Sequence, residues 1–484
     1  MIFAKQTTVL VLALSATTSS AQESQPMPQE HMHHHEDMQR VQPVFPRMGR
    51  AQENANGVLF SLDDAQRLAA ESNPTLRQAE AEIRAAKARV RQAGLYPNPS
   101  LGYTGDEIRG GSINGGKQGF FLEQTVVTGG KLGKARSVFD QESRLADLEA
   151  EEQKLRVQNA VKVAFYRVLA AQELLDTRRD LAQIEQNYAD VQRQLFNTGQ
   201  ADETEVLEAE VDAHHTRLSS LMQENTLREE WKSLAAVLGR PDLPVATVAG
   251  DLQQNWPEIN EEHAIESIAA ESPATRIADA ASTRAAAEMT RAKSQAIPDI
   301  QMRGGLEYNN EPLVSVPHDI GWEGIAELSM QIPVFNRNQG NVAAASADLE
   351  RAQLEKQRIA LTLRERASTI VDEYANGRLM AVEYRDEMLP RAQKAYTLMS
   401  DKYGRMLAAY PRVLQSQRKL FELQAEYIQA LETVWTTGIA LEGFLLTDGL
   451  EAPARPGEVD RPIRETNVPM PERTMGPLDS LPRP

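Results

Sequence analysis

The chain has 484 residues, a net charge of −17, 5% aromatic residues and no cysteine. That balance argues against nucleic acid as a partner, and the missing cysteine excludes disulfides, thiolate metal sites and a lipid-modified N-terminal cysteine. No P-loop and no His-Glu-x-x-His motif occurs, and nothing positions a nucleophile or an acid–base pair, so neither an enzyme nor a cofactor is expected.

Residues 1–21 read as a secretory signal: Lys5, an apolar run over residues 9–16 too short to span a bilayer, and a small-x-small site at Ser19-Ser20-Ala21. Residues 22–57 are rich in Gln, Pro, Met and His and lack periodicity, so disorder is expected there. They hold the sharpest chemical signal of the chain: His31, Met32, His33, His34 and His35, followed by Glu36, Asp37 and Met38. Imidazole with thioether suits Cu(I) or Ag(I), and imidazole with carboxylate suits Cu(II), Zn(II), Ni(II) or Co(II). The alternative is a metal-sticky tail without a role.

A first repeat covers residues 58–245. Ser61 can cap one helix, and a second runs from Pro74 to Ala93, stopped by Gly94, Pro97 and Pro99. A hairpin follows, with arms at residues 100–104 and 119–126 and a Gly-rich turn over residues 110–116. Residues 135–198 then contain neither Gly nor Pro; as one helix they would extend about 95 Å. Leu181, Ile184, Tyr188, Val191 and Leu195 are spaced three and four apart, a coiled-coil seam. The chain turns at Thr198-Gly199-Gln200, and a return helix ends near Leu238. His214 and His215 are sequence neighbours that point apart on a helix, so a solvated face explains them better than a metal site. The turn is crowded with acid: Asp202, Glu203, Glu205, Glu208, Glu210 and Asp212. An ordinary solvated face is one reading. The other is a ring of carboxylates that gates a pore for cations, closed with Arg405 and Arg412 from the second turn.

A second repeat covers residues 246–450. Ala69-Ala70-Glu71-Ser72 returns as Ala269-Ala270-Glu271-Ser272, Pro74 is answered by Pro273, and Pro97 by Pro298. An offset of roughly 200 residues is too long for a solenoid and marks duplication of a half-protein. Strands are expected at residues 300–308 and 324–332. In the latter Ala326, Leu328, Met330 and Ile332 alternate with Glu327, Ser329 and Gln331, over about the length of a transmembrane strand; half-buried strands of a soluble sheet are the alternative. A long helix from near Asn341 carries Gly377 and a kink at Pro390, turns within residues 403–411, and returns to near Leu446. Its return arm repeats the seam with Leu420, Leu423, Tyr427, Ala430 and Val434. Residues 451–484 are Pro-rich and expected to be unstructured. Two hairpins cannot close a barrel, so closure needs several chains.

In this order of elements the chain resembles the TolC family of outer-membrane efflux proteins. The resemblance rests on Tyr96-Pro97-Asn98-Pro99-Ser100-Leu101, Glu123-Gln124-Thr125-Val126, Gln331-Ile332-Pro333-Val334-Phe335, and Phe196-x-x-Gly199 with Val206-Leu207. It spans about residues 61–450 and looks closest to the heavy-metal branch that serves CzcC-type pumps. The resemblance implies a mainly α fold with a small β part: duplicated long antiparallel coiled-coil helices and four transmembrane strands per chain, assembled as a homotrimeric α-barrel and β-barrel in the outer-membrane lipid. It implies a passive duct whose tips dock a periplasmic adaptor protein linked to an inner-membrane transporter of the resistance–nodulation–division (RND) class. Drug export, type I secretion and a pore-less coiled-coil scaffold are the alternatives. Tip and adaptor residues would be Thr198, Gly199, Gln200, Asp202, Glu205, Arg405, Met406, Tyr410 and Arg412. Where the family has Gly at the second tip this chain has Met406, and Pro411 is added, so the second tip is expected to differ in shape.

Overall fold

A computed structural model describes residues 59–108, 116–312 and 319–453. The signal, the His31–His35 cluster, most of the first hairpin turn and the Pro-rich tail lie outside the described residues.

Local chemistry sets the element boundaries. Helix α1 (Leu62–Ser72) starts on a capping box, with Ser61 Oγ accepting the Asp64 N–H at 3.1 Å. Helix α2 (Pro74–Ala93) starts on Asn73, whose side chain accepts the Thr75 N–H while Pro74 occupies the first turn, where its missing N–H costs nothing. The second repeat rebuilds the pair as α5 (Glu261–Glu271) and α6 (Pro273–Ser294), with Ser272 as the α6 cap. Strands β1 (Ser100–Asp106), β2 (Lys117–Val126), β3 (Ile300–Pro312) and β4 (Asp319–Met330) form one antiparallel sheet in the order β1-β2-β3-β4. Its two outer edges are therefore β1 and β4.

Helix α3 (Lys131–Asn197) is 67 residues long, about 100 Å at the usual rise. It returns as α4 (Glu203–Val237). In the second repeat α7 (Gln339–Glu383) passes through a π-helical turn, Tyr384–Met388, into α8 (Leu389–Gly404), and the return arm is α9 (Tyr410–Glu442). The expected kink at Pro390 thus takes the form of a π-turn just before it. The proline has no N–H to give, and the extra residue in the turn relieves its ring from the preceding carbonyl.

The helices form a layer ordered α4, α3, α9, α7–α8: α3 packs on α4 and α9, and α9 packs on α3, α7 and α8. Every residue of the α9 seam, Leu420, Leu423, Tyr427, Ala430 and Val434, is buried, in one hydrophobic cluster with Val161, Phe165 and Val168 of α3 and Tyr374 of α7. The α3 seam needs correction near the tip. Ile184 and Tyr188 are buried, but Val191 is 38% exposed and the buried stripe moves to Glu185, Ala189 and Gln192. A straight helix with 3.6 residues per turn drifts off a 3.5-residue repeat, and the drift brings a carboxylate inside. A strap between α4 and α5 belts the layer: the Leu252 carbonyl accepts the indole N–H of Trp256 (3.0 Å) and of Trp435 (2.9 Å), and Tyr374 Oη donates to the Pro257 carbonyl.

Candidate functional site

The sheet sorts its side chains by chemistry. Residues paired across the ladders share a face, so Met302 with Leu328, Leu306 with Phe120, Tyr308 with Trp322, and Leu101 with Leu122 line one side. Apart from the half-buried Tyr308 these side chains are exposed although apolar: Leu101 78%, Trp322 73% and Leu328 71%. From Met330 to Trp322 the band runs about 26 Å along the strand, close to the apolar height of an outer-membrane barrel. Tyr308 and Trp322 meet edge to face at 5.5 Å near one rim, where amphipathic aromatic rings suit a lipid–water boundary. The opposite face is polar. Lys117 pairs with Glu323 at 3.1 Å, and the Arg303 guanidinium lies 3.7 Å over the Phe121 ring, with Glu123 beside it in the ladder. Glu307 and Glu327 share that face. No helix among the described residues is long and apolar enough to cross a membrane.

At the far end lie the two helical tips. Thr198 is the C-cap of α3; Gly199 stands at φ +73° and donates to the Phe196 carbonyl (2.9 Å), and the Gln200 N–H reaches the Leu195 carbonyl at 2.8 Å. These two bonds make a Schellman motif. The second tip has the same motif. Arg405 is the C-cap of α8, Met406 takes φ +58° and donates to the Tyr403 carbonyl (2.8 Å), and the Leu407 N–H reaches the Lys402 carbonyl at 2.8 Å. The expected difference in shape is therefore absent: Met406 adopts the left-handed conformation that glycine adopts freely, at a cost of about 1 kcal/mol. Pro411 does not distort the turn either, because it falls in the first turn of α9.

Side-chain chemistry does separate the tips. Asp202 caps α4 without a side-chain hydrogen bond, and Glu203 and Glu205 occupy its first turn, where the helix dipole favours them. All three are exposed, as are Arg405, Met406 and Arg412. Within one chain neither Arg405 nor Arg412 pairs with Asp202 or Glu205 among the described residues. Near the tips the repeats are tied together by Arg418, which the sequence reading missed. Arg418 on α9 pairs with Glu185 on α3 and with Asp212 on α4, the latter at 2.6 Å. Glu185 is fully buried, and its hydrogen bonds hold the Arg418 pKa well above the ordinary arginine value. Beside it Tyr410 packs between Tyr188 and Tyr403, each ring centroid 5.4 Å away, and burial pushes its hydroxyl pKa up to about 12. The signal for Glu185 was the drift of the α3 stripe, legible only once the partner helix is known. His214 and His215 are both exposed, as expected of a solvated face, and no group of three or more His, Asp or Glu side chains among the described residues could hold a metal ion.

Residues 66–240 match the family described as outer membrane efflux protein. The cobalt-zinc-cadmium resistance protein CzcC of Cupriavidus metallidurans is 23% identical over 403 residues, 83% of this chain and 92% of that protein. Among solved structures the CusC channel aligns with a TM-score of 0.60 at 17% identity, over 84% of this chain and 98% of its own. The outer-membrane channel OprN aligns with a TM-score of 0.63 at 15% identity, over 85% and 99%. The first repeat thus matches the outer membrane efflux protein family, and the described residues share the fold of the CusC and OprN channels.

Proposed function

We propose that the chain is the outer-membrane duct of a tripartite efflux system, a passive exit for heavy-metal cations powered from the inner membrane. The observation that carries this reading is the sheet: an exposed apolar band of membrane height backed by a charged polar face. A periplasmic scaffold has no use for such a band. Four strands close no barrel, so several copies share one, three of them by the family resemblance. The free edges of the helical layer fit that assembly. Leu207, Val211, Leu218 and Met222 run exposed along α4, and Leu354, Leu361 and Leu398 along α7–α8, two apolar stripes that neighbouring copies would cover. The tips, with Thr198, Gly199, Gln200 and Tyr410, are the docking end for a periplasmic adaptor and its RND transporter. Three copies bring Asp202 and Glu205 together as an acidic constriction, with Arg405 and Arg412 of neighbouring copies as counter-charges. The His31–His35 segment collects metal ions near the duct.

The metal assignment draws on the similarity to CzcC. Its test is the metal content of cells lacking the gene, challenged with Cu, Ag, Zn, Co, Ni and Cd, with drug susceptibility measured in parallel. Accumulation of one or two metals is expected. Unchanged metals with raised drug sensitivity would reassign the duct to drug export. In the same cells, replacing His31, His33, His34 and His35 by Ala should lower metal resistance, and unchanged resistance removes their role. Asp202→Asn with Glu205→Gln should make the outer membrane leakier to large antibiotics, and unaltered permeability argues against a carboxylate gate.

A further inference from the structure

Each repeat leaves its hairpin through a short strap and begins its long helix behind a residue in the left-handed conformation: Gly130 (φ 66°) before α3 and Asn338 (φ 61°) before α7, neither with a side-chain cap. In the first repeat this strap is covered by the segment that enters β3. The Thr128 N–H donates to Asp299 Oδ1 at 2.9 Å, Lys131 pairs with Asp299 at 2.9 Å, and the Ile297 side chain fills the space beside Gly129. Aligning the two left-handed residues puts Asn336 in the place of Thr128, Arg337 in that of Gly129, and Gln339 in that of Lys131.

The second strap has no such cover among the described residues. Ile332 is 73% exposed, Val334 57% and Phe335 92%. One entry segment is equally bare. Ahead of β1, Leu95 is 59% and Tyr96 67% exposed, and Pro97 matches Pro298, so Asn98 matches Asp299 and Tyr96 matches Ile297. The two bare segments sit at the two free edges of the sheet, at the same end of the strands. Their chemistry has changed in concert: where the covered junction pairs Asp299 with Lys131, the bare one offers Asn98 and Gln339, an amide for each charge.

We propose that residues 95–98 of a second copy of this chain seat on residues 332–339, with Asn98 accepting the Asn336 N–H and Tyr96 covering Phe335 and Arg337. The inference rests on the multi-chain barrel proposed above and names the contact that seals its base. It also fixes the face relation of the new ladder. Even-numbered β4 residues and odd-numbered β1 residues carry the apolar band, so the pairing joins even to odd. An Asn98–Gln339 ion pair is impossible, so this seam tolerates salt better than its Asp299–Lys131 template.

The cysteine-free chain allows a direct test by oxidation. Within one chain β1 and β4 lie three strand spacings apart, about 14 Å, beyond the roughly 7 Å that a disulfide bridges. Asn98→Cys with Asn336→Cys, and separately Tyr96→Cys with Arg337→Cys, should therefore link different copies. After oxidation of the purified assembly, denaturing non-reducing gels should show bands at two and three times the chain mass. Thr128→Cys with Asp299→Cys is the control, linking within the chain without a mass increase. An assembly that light scattering shows to be trimeric, yet whose two test pairs stay single-chain, overturns this contact and leaves the barrel standing. That outcome is expected if the bare strap faces lipid headgroups instead. A chain that is monomeric before oxidation overturns the barrel itself.

Discussion

The two repeats build the same tip from different residues. At the first, Gly199 supplies the left-handed turn at no steric cost, and a Cβ there would touch nothing within 4 Å. At the second, Met406 is held in that conformation against its own preference, by the Schellman bonds to Tyr403 and Lys402 and by the packing of Tyr403 on Tyr410 behind it. The long helices differ in the same way: α3 runs unbroken, while its counterpart takes a π-turn to admit Pro390. The two tips share a backbone geometry but not a side-chain chemistry: the first is acidic, the second basic and apolar.

The comparison breaks most sharply at the link between the repeats. Arg418→Met strands the Glu185 carboxylate in the interior, and a loss of about 3 kcal/mol is expected, read as a lower unfolding midpoint in denaturant. Replacing Arg418 and Glu185 together by Met and Leu should restore most of it, because the uncompensated charge is then gone. Higher up the long helix, Glu173 of α3 gives a pH signature. Burial, with Asp251 and Asp176 nearby, raises its pKa to about 7. An acid whose folded pKa is raised binds its proton more tightly in the native state. Stability therefore falls as pH rises from about 4.5, the unfolded value, to about 7, and is flat above. Glu173→Gln should flatten that slope and leave the variant more stable at pH 8 by about 2 kcal/mol, the shift being discounted for the partial exposure of Glu173; an unchanged slope from pH 5 to 7 contradicts the assignment.

The tips themselves should respond with opposite signs. Gly199→Ala should lower stability by about 1 kcal/mol, since alanine must enter the left-handed region. Met406→Gly should raise it by about the same amount. If both substitutions destabilise, the second turn does not have the Schellman geometry.

Much of this architecture was legible in the sequence because it rests on local rules. Pro74 and Pro273 fix two helix starts, Gly94 a helix end, and the alternation from Ala326 to Ile332 a two-faced strand, although the strand begins earlier, at Asp319, and ends at Met330. The α9 seam was legible for the same reason, as a period that packing then obeyed. What could not be read depends on partners. Nothing in the sequence marks Glu185, which the helix drift turns toward α9, or Arg418, its partner there. Met406 read as a departure from the glycine pattern, yet the tertiary contacts of the turn overrule its propensity. Asp202 and Glu205 stand exposed at the first tip, and among the described residues of one chain no ion pair joins them to Arg405 or Arg412.

The central claim is that this sheet, closed by several copies, forms a water-filled pore. The most direct measurement is the conductance of the purified protein reconstituted into planar lipid bilayers, with the reversal potential read in a salt gradient. Glu123, Glu307, Glu323 and Glu327 outnumber Lys117 and Arg303 on the polar face of the sheet, so stepwise conductance that favours cations is predicted. Bilayers that stay silent with correctly assembled protein, or pores that prefer anions, would contradict the account.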